Sequence, residues 1–337
     1  MWLAWPVNQG DFKPKLSAVV WVYTEIVRAL AREGGDEVRI LVANEAARSK
    51  ALSQLARAGV DLSCVVFVEV PTDRSWTRDY LPFVVRDGQG RGLSVRFGFT
   101  GWARYGNHAL DAEASGLVQE YCREHDGLEP VAATWDGDPL VLEGGALDTN
   151  GQGTVLATEE CLLDSEVQVR NPGLDRQGYE AALDKYLGAR KVVWLGRGIV
   201  GDDTHGHVDD VCRFVGPSIL VLCQEANPAD ENYRSLEENR ERLESARTAQ
   251  GERIEVIGLP MPAPLYFEGQ RLPASYANFF IGQSCVLVPT FNDPSDRQAL
   301  GILGECFPGR EVRGVHCVDL ILGLGALHCL TKEQALV

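Results

Sequence analysis

Long apolar runs are missing from this 337-residue chain, and nothing in it approaches the roughly 18 residues of a membrane-spanning helix. The opening Met1-Trp2-Leu3-Ala4-Trp5-Pro6 has no basic segment followed by an apolar one, so no secretory signal is expected. Basic charge is in short supply. The chain has 32 Lys and Arg against 48 Asp and Glu, a formal net charge of −16. That argues against a nucleic-acid partner, whose phosphates demand basic patches, and suits a small cationic one. CxxC pairs are absent, and the nine cysteines are odd in number and scattered. This pattern fits reduced thiols in a cytoplasmic protein better than a disulfide framework. Low-complexity linkers are lacking too, so one domain over residues 1–337 is expected. A hydrophobic content of 45% is enough for a sizeable core.

What is present alternates between helix and strand. Apolar residues at Leu16, Val19, Val20, Tyr23, Ile26, Val27 and Leu30 have helical spacing, stopped by Gly34-Gly35. Val38–Val42 reads as a buried strand, Asn44 as the cap of a second helix ending near Gly59, and Val65–Val70 as a strand. Asp87-Gly88-Gln89-Gly90 and Asn150-Gly151-Gln152-Gly153 have hairpin-turn chemistry. Further helices are expected at 109–125, 176–187 and 295–306, and a charged, solvent-facing one over Glu231–Arg247. Short strands are expected at 80–85, 140–142, 191–195, 211–215, 219–222, 276–281, 285–288 and 312–315, and a proline-rich loop at Leu259–Pro264.

Four stretches carry reactive side chains. Asp202-Asp203-Thr204-His205-Gly206-His207-Val208-Asp209-Asp210 sets two histidines among four carboxylates. If Val208 is extended, His207 and Asp209 face the same side, as period-two alternation requires. Such a pair serves proton transfer or metal binding; the plain alternative is a solvated acidic loop. Trp76-Thr77-Arg78-Asp79 would, as a strand, turn Trp76 and Arg78 one way and Asp79 the other, toward a cleft. Its plain alternative is a surface Arg–Asp pair beside a core tryptophan. Glu143 precedes Gly144-Gly145 at a strand end, where a simple turn acid is equally at home. Cys329 closes Gly323-Leu324-Gly325-Ala326-Leu327-His328-Cys329, with glycines that allow close backbone approach; it is either a nucleophile or an inert buried thiol. Asp79, Glu143 and His207 recur at intervals of 64 residues, as repeated modules would produce. His205-x-His207-x-Asp209 also has the ligand types of a Zn or Mn site, without a second cluster of similar quality.

Taken together, Trp76-x-Arg78-Asp79, Leu142-Glu143-Gly144-Gly145, Gly206-His207-Val208-Asp209 and Gly325-x-x-His328-Cys329 resemble the agmatine deiminase and Porphyromonas-type peptidyl-arginine deiminase family. That family belongs to the guanidino-group-modifying superfamily. The resemblance runs almost end to end, through Trp2-Leu3-Ala4-Trp5-Pro6, Arg170-Asn171-Pro172, Ala274-Ser275-Tyr276-Ala277-Asn278-Phe279 and Phe307-Pro308-Gly309-Arg310-Glu311-Val312. It implies an α/β pentein, a five-bladed propeller of ββαβ-type modules about a pseudo-fivefold axis. Departures stand at Leu81, where the family usually has glycine, and at Leu324 and Ala326, where it usually has glycine and asparagine. The family also usually has a short segment before the Trp2–Pro6 run.

The resemblance implies hydrolysis of agmatine to N-carbamoylputrescine and ammonia. Cys329 would be the nucleophile, His207 the acid–base group, Glu143 its orienting partner, and Asp79 and Asp209, with Trp76, the substrate site. A planar guanidinium suits two carboxylates that each grip it bidentately. No metal or organic cofactor is called for, and a homodimer is implied. Three rivals stand beside this reading. They are deimination of another guanidino compound such as peptidyl-arginine, a metal-dependent guanidino hydrolase using His205, His207, Asp209 and Asp210, and a non-catalytic binding module.

Overall fold

Residues 1–32 and 35–335 are described in this computed structural model. They form five three-stranded sheets, two short two-stranded ribbons and the connecting helices. The sheets are Trp2–Ala4 with Val38–Val42 and Val65–Glu69; Phe83–Arg86 with Gly92–Arg96 and Glu129–Ala132; Asp148–Thr149 with Thr154–Thr158 and Lys191–Leu195; Cys212–Gly216 with Ile219–Gln224 and Glu255–Pro260; and Phe280–Ile281 with Cys285–Thr290 and Glu311–His316. In the last four, the first strand pairs antiparallel with the second across a tight turn. The second then pairs parallel with the third after a helical crossover, Ala109–Asp126, Arg176–Leu187, Tyr233–Leu243 or Ser295–Cys306. A short turn can only reverse the chain, whereas a parallel partner needs a long return, so one pattern repeats four times.

The first sheet breaks the pattern, because both its strand pairs are parallel. Its antiparallel contact comes from the far end of the chain, where Trp2 and Lys332 exchange backbone hydrogen bonds of 2.8 and 3.0 Å. The fifth repeat is thus completed by circular closure, and this is what carries Cys329 back to the start of the chain. First strands begin at Phe83, Asp148, Cys212 and Phe280, so the 64-residue interval is the true module length with a small drift. These four strands and the Glu333–Ala335 segment surround one cavity of about 500 Å³. Its two guanidiniums are already neutralised, Arg78 by Glu333 at 2.5 Å and Arg213 by Asp148 at 2.5 Å.

Most elements lie where hydrophobic period and capping place them. The first helix is Leu16–Leu30, and the Gly34 of its expected stop lies outside the described residues. Asn44 accepts from Ala47 N at 3.0 Å and opens the helix Glu45–Arg57. Helices 176–187 and 295–306 match expectation residue for residue. Within 231–247 the helix is Tyr233–Leu243, and it buries Leu236, Asn239 and Leu243 on one side. Four expectations fail, one being the strand expected at 276–281, which is confined to Phe280–Ile281 because Tyr276–Ala277 is a turn. Leu140–Leu142 forms only an isolated bridge from Val141 to Gly98. Leu259 and Pro260 end a strand, because the parallel partner Cys223–Gln224 extends beside them. Thr77–Tyr80 is a helical turn, so the strand expected at 80–85 starts at Phe83. Among the described residues no helix is long and apolar enough to cross a membrane.

Candidate active site

The reactive residues sit just upstream of the innermost strand of each repeat. Asp79 precedes Phe83–Arg86, Glu143 precedes Asp148–Thr149, His207 and Asp209 precede Cys212–Gly216, and Cys329 precedes the Lys332 bridge. The fifth such segment is Ser275–Phe279, before Phe280–Ile281. Propeller closure therefore gathers residues far apart in sequence, and all of them are buried.

Local geometry differs from the alternation argument at two points. Val208–Asp210 is a 3-10 turn and not extended, so period two does not place His207 beside Asp209. Asp79 likewise points inward from the Thr77–Tyr80 turn, while Arg78 turns away to donate Nε–H to His328 O at 3.2 Å. Asp79 is held by two donors, Gly145 N to Oδ1 at 2.9 Å and Trp102 Nε1 to Oδ2 at 3.0 Å. Gly145 has to be glycine here, because a Cβ would lie 2.5 Å from His207 Nδ1 and 2.9 Å from Asp79 Oδ1.

His207 lies between two acids, Nδ1 3.9 Å from Asp79 Oδ1 and Nε2 4.0 Å from Glu143 Oε2. Neither ring nitrogen has a hydrogen-bond partner among the described residues. Glu143 is gripped by Arg170, whose Nε lies 3.2 and 3.3 Å from its two oxygens, with both side chains fully inaccessible. Burial, then the Arg170 charge, pushes the His207 imidazole well below its ordinary value, so it rests neutral.

Cys329 Sγ receives a hydrogen bond from Asn278 Nδ2 at 3.0 Å and lies 3.7 Å from Asp209 Oδ2. The same Asp209 oxygen faces His328 Nδ1 at 2.6 Å, and Asp209 Oδ1 has no partner among the described residues. Asp209, Asp210 and Cys329 each offer an atom within 4.8 Å of the others. Burial first, then the charges of Asp209, Asp210 and Asp79, holds the thiol well above its ordinary value. Burial, joined by the neighbouring acids, raises Asp79 and Asp210 strongly. It pushes Asp209 up to about 7 against the opposing charges of Arg213 and Arg78. Burial and like charge thus favour the protonated thiol, and among the described residues no Lys or Arg forms an ion pair with Asp79, Asp209 or Asp210.

Trp76 packs on Phe12, with ring centroids 5.7 Å apart, and on the glycine ledge leading to Cys329. A Cβ on Gly325 would come within 2.8 Å of its ring and 3.1 Å of Cys329 Cβ. Leu324, in that ledge, has a left-handed backbone with φ 66°, a conformation that costs a side-chain-bearing residue about 1–2 kcal/mol.

The metal constellation His205, His207, Asp209 and Asp210 is not assembled. His205 Nε2 bonds Asp164 Oδ2 at 2.8 Å on the outer side of the loop, and the group containing Asp209 and Asp210 includes neither histidine. Cys161 lies in the short helix Glu159–Leu163, with Glu143 and His207 nearby. Sequence reasoning gave no role to Arg170, Asn278, His328 or Trp102, and gave Asp210 one only in the metal-dependent alternative. Three of these, Arg170, Asn278 and His328, stand in motifs that carried the resemblance. The interval is read only over Asp79, Glu143 and His207 and is not carried on to the segment that holds Asn278.

The Porphyromonas-type peptidyl-arginine deiminase family model matches residues 1–335. An agmatine deiminase of Pseudomonas fluorescens is 32% identical, over 99% of this chain and 92% of that protein. The structure of an agmatine deiminase of Enterococcus faecalis superposes with a TM-score of 0.86 at 28% identity, covering 98% of this chain and 91% of that one. A C. jejuni agmatine deiminase with substrate bound, a Cys-to-Ser variant, gives a TM-score of 0.82 at 26% identity, covering 97% and 90%. The fold of five repeats is therefore a pentein, and the chain belongs to the Porphyromonas-type peptidyl-arginine deiminase family.

Proposed function

We propose that the protein hydrolyses agmatine to N-carbamoylputrescine and ammonia, with Cys329 as nucleophile. The observation that carries this is a buried thiol facing Asp209 and Asp210, with Asp79 nearby, none of which forms an ion pair with a Lys or Arg among the described residues. The 32% identical relative named as an agmatine deiminase supports the substrate. A guanidinium entering between Asp79 and Asp209 supplies the missing charge. It draws both carboxyls into the ionised form and brings the thiol down toward thiolate.

Chemistry then follows in balanced steps. The Cys329 thiolate adds to the guanidinium carbon and forms a C–S bond. The proton leaving the Cys329 thiol goes to neutral His207, the imidazolium passes it to one nitrogen, the C–N bond breaks, and ammonia leaves an amidino-thioether. A water gives its proton to His207 and adds to the same carbon. The C–S bond then breaks, the added hydroxyl's proton regenerates the thiol, the ureido product departs, and His207 returns to neutral by giving its proton to the released ammonia. Glu143, clamped by Arg170, steadies the imidazolium that forms between these steps. Each step uses side chains of this chain, so the proposal calls on no cofactor. Cys329 is only 7% and His207 1% exposed, which favours a slim linear guanidine over arginine carried on a peptide. The proposal also takes the protein as one catalytic domain acting in the cytoplasm, as a homodimer.

The test is product analysis with Cys329→Ala. Wild type should release ammonia and not urea, and should show an amidino adduct on the Cys329 peptide by mass spectrometry. The variant should do neither. Undiminished turnover of Cys329→Ala would overturn the assignment, and release of urea would replace it with guanidino hydrolysis. Equal rates on peptidyl-arginine would reassign the substrate, and light scattering at monomer mass would remove the dimer.

A further inference from the structure

We infer that Asn278 is a positioning residue for the nucleophile, seating the Cys329 backbone with its amide oxygen and giving an N–H to the sulfur. The inference rests on the reading of Cys329 as nucleophile and deepens it.

Asn278 is fully buried, in the entry segment of the one repeat that otherwise contributes no reactive side chain. Its Oδ1 accepts from His328 N at 2.9 Å and from Cys329 N at 3.3 Å. Its Nδ2 donates to Asp210 Oδ1 at 2.9 Å and to Cys329 Sγ at 3.0 Å. His328 N also donates to the Asn278 carbonyl at 3.1 Å, tying the two segments together. The amide therefore cannot be turned over. A flip would set oxygen against the Asp210 carboxyl and NH₂ against two N–H donors. With the orientation locked, the sulfur must face a donor. Among the described residues no other group donates a hydrogen bond to it.

The need for that donor follows from the charges. Asp209, Asp210 and Asp79 all oppose a thiolate, and the Asn278 bond acts in its favour. A preorganised N–H aimed at developing negative charge, in a water-poor site, costs no reorganisation when the charge appears. Asp210 gains a purpose the mechanism had not given it, because it fixes which end of Asn278 meets the sulfur.

Asn278→Asp separates the two halves of the device. It keeps an oxygen for the His328 and Cys329 N–H groups and replaces the donor to sulfur with an acceptor. The expected result is a fall in kcat on the order of 100-fold, without a rise in the agmatine KM. Alkylation of Cys329 by neutral iodoacetamide, followed on its own peptide by mass spectrometry, should move to higher pH by about one unit or more. Asn278→Leu, which removes the N–H without adding a charge, should move the profile the same way, and an unmoved profile in that variant would assign the Asn278→Asp shift to the new carboxylate and overturn the inference. Should the variants fail to fold, the unsubstituted protein labelled with ¹⁵N-asparagine provides the test. The Asn278 side-chain resonance should shift over the same pH range in which Cys329 alkylates. Wild-type kcat with an unshifted alkylation profile, or an Asn278 resonance indifferent to Cys329, would overturn the inference. If Cys329→Ala is inactive while Asn278→Asp behaves as wild type, only this inference falls. If Cys329→Ala is active, the underlying reading falls with it.

Discussion

His328 directs Nδ1 at Asp209 Oδ2 across 2.6 Å, and that same oxygen lies 3.7 Å from the Cys329 sulfur. The residue before the proposed nucleophile thus fixes the acid proposed to hold the substrate. Burial, with Arg213 and Arg78 nearby, keeps the His328 imidazole well below its ordinary value, so it acts as a neutral donor. A hydrogen bond to a carboxylate is worth about 1.5–3 kcal/mol. His328→Ala should therefore lower kcat/KM for agmatine by roughly 10- to 100-fold. Unchanged kcat/KM would show that Asp209 needs no anchor.

Asp209 also sets the pH response. Its carboxyl is pushed up to about 7, chiefly by burial, yet it must be ionised to grip a guanidinium. For the free enzyme, kcat/KM should climb as pH rises from 6 to 8. Stability runs the other way. A carboxyl raised on folding contributes stability that is complete below its ordinary value near 4 and is lost as pH rises through about 7. Without substrate, Asp209→Asn should then melt higher than wild type, by a margin that widens between pH 5 and 8. A constant margin would contradict the raised value.

How much of this was legible in the sequence depends on what each residue needs. The pairing pattern was readable because turn chemistry at 87–90 and 150–153 and helical period at 176–187 and 295–306 are local properties. Asp79, Glu143, His207, Asp209 and Cys329 stood out as acids, imidazole and thiol beside glycines, and all five reach one centre. The alternation argument for Asp79 and Asp209 failed because both lie on helical turns, where period two has no meaning. Arg170, Asn278 and His328 act through partners 27, 51 and 119 residues away. No local rule reveals such pairings; only closure of the repeats brings them together.

Gly145 is a sharp test of that closure. An added Cβ would overlap His207 Nδ1 at 2.5 Å and crowd Asp79 Oδ1 at 2.9 Å. Gly145→Ala should displace the imidazole or the acid by a fraction of an ångström to an ångström, for a loss of at least about 100-fold in kcat. Its circular dichroism should match wild type. Full activity in this variant would mean that His207 is free to relocate without cost.

Arg170 and Glu143 form an ion pair with no exposed side-chain surface. Removing one partner of such a pair leaves a charge buried and costs about 3–5 kcal/mol. Arg170→Met should therefore unfold at markedly lower urea than wild type, by about that amount. The double variant Arg170→Met with Glu143→Gln should recover most of the stability and none of the activity. If the single and double variants unfold together, the pair is not the source of the loss.

Lys332 gives the opposite sign. Its ammonium lies 3.5 Å from the Phe83 ring centroid and 3.5 Å from the Arg78 carbonyl, with its side chain buried beneath the Gly144 turn. Burial first, then the Arg78 charge, brings it down to about 7, outweighing Glu333 and Asp79. A lysine depressed on folding weakens the fold most at pH values below the folded value. The penalty shrinks as pH climbs from about 7 toward the ordinary value of 10.5. Methionine fills nearly the same volume without a charge to desolvate. Lys332→Met should thus stabilise the protein by about a few kcal/mol at pH 6, with the gain fading by pH 10. Urea titrations at the two values check it, and a variant less stable than wild type at pH 6 would show that the contact with Phe83 outweighs the cost of burying the amine.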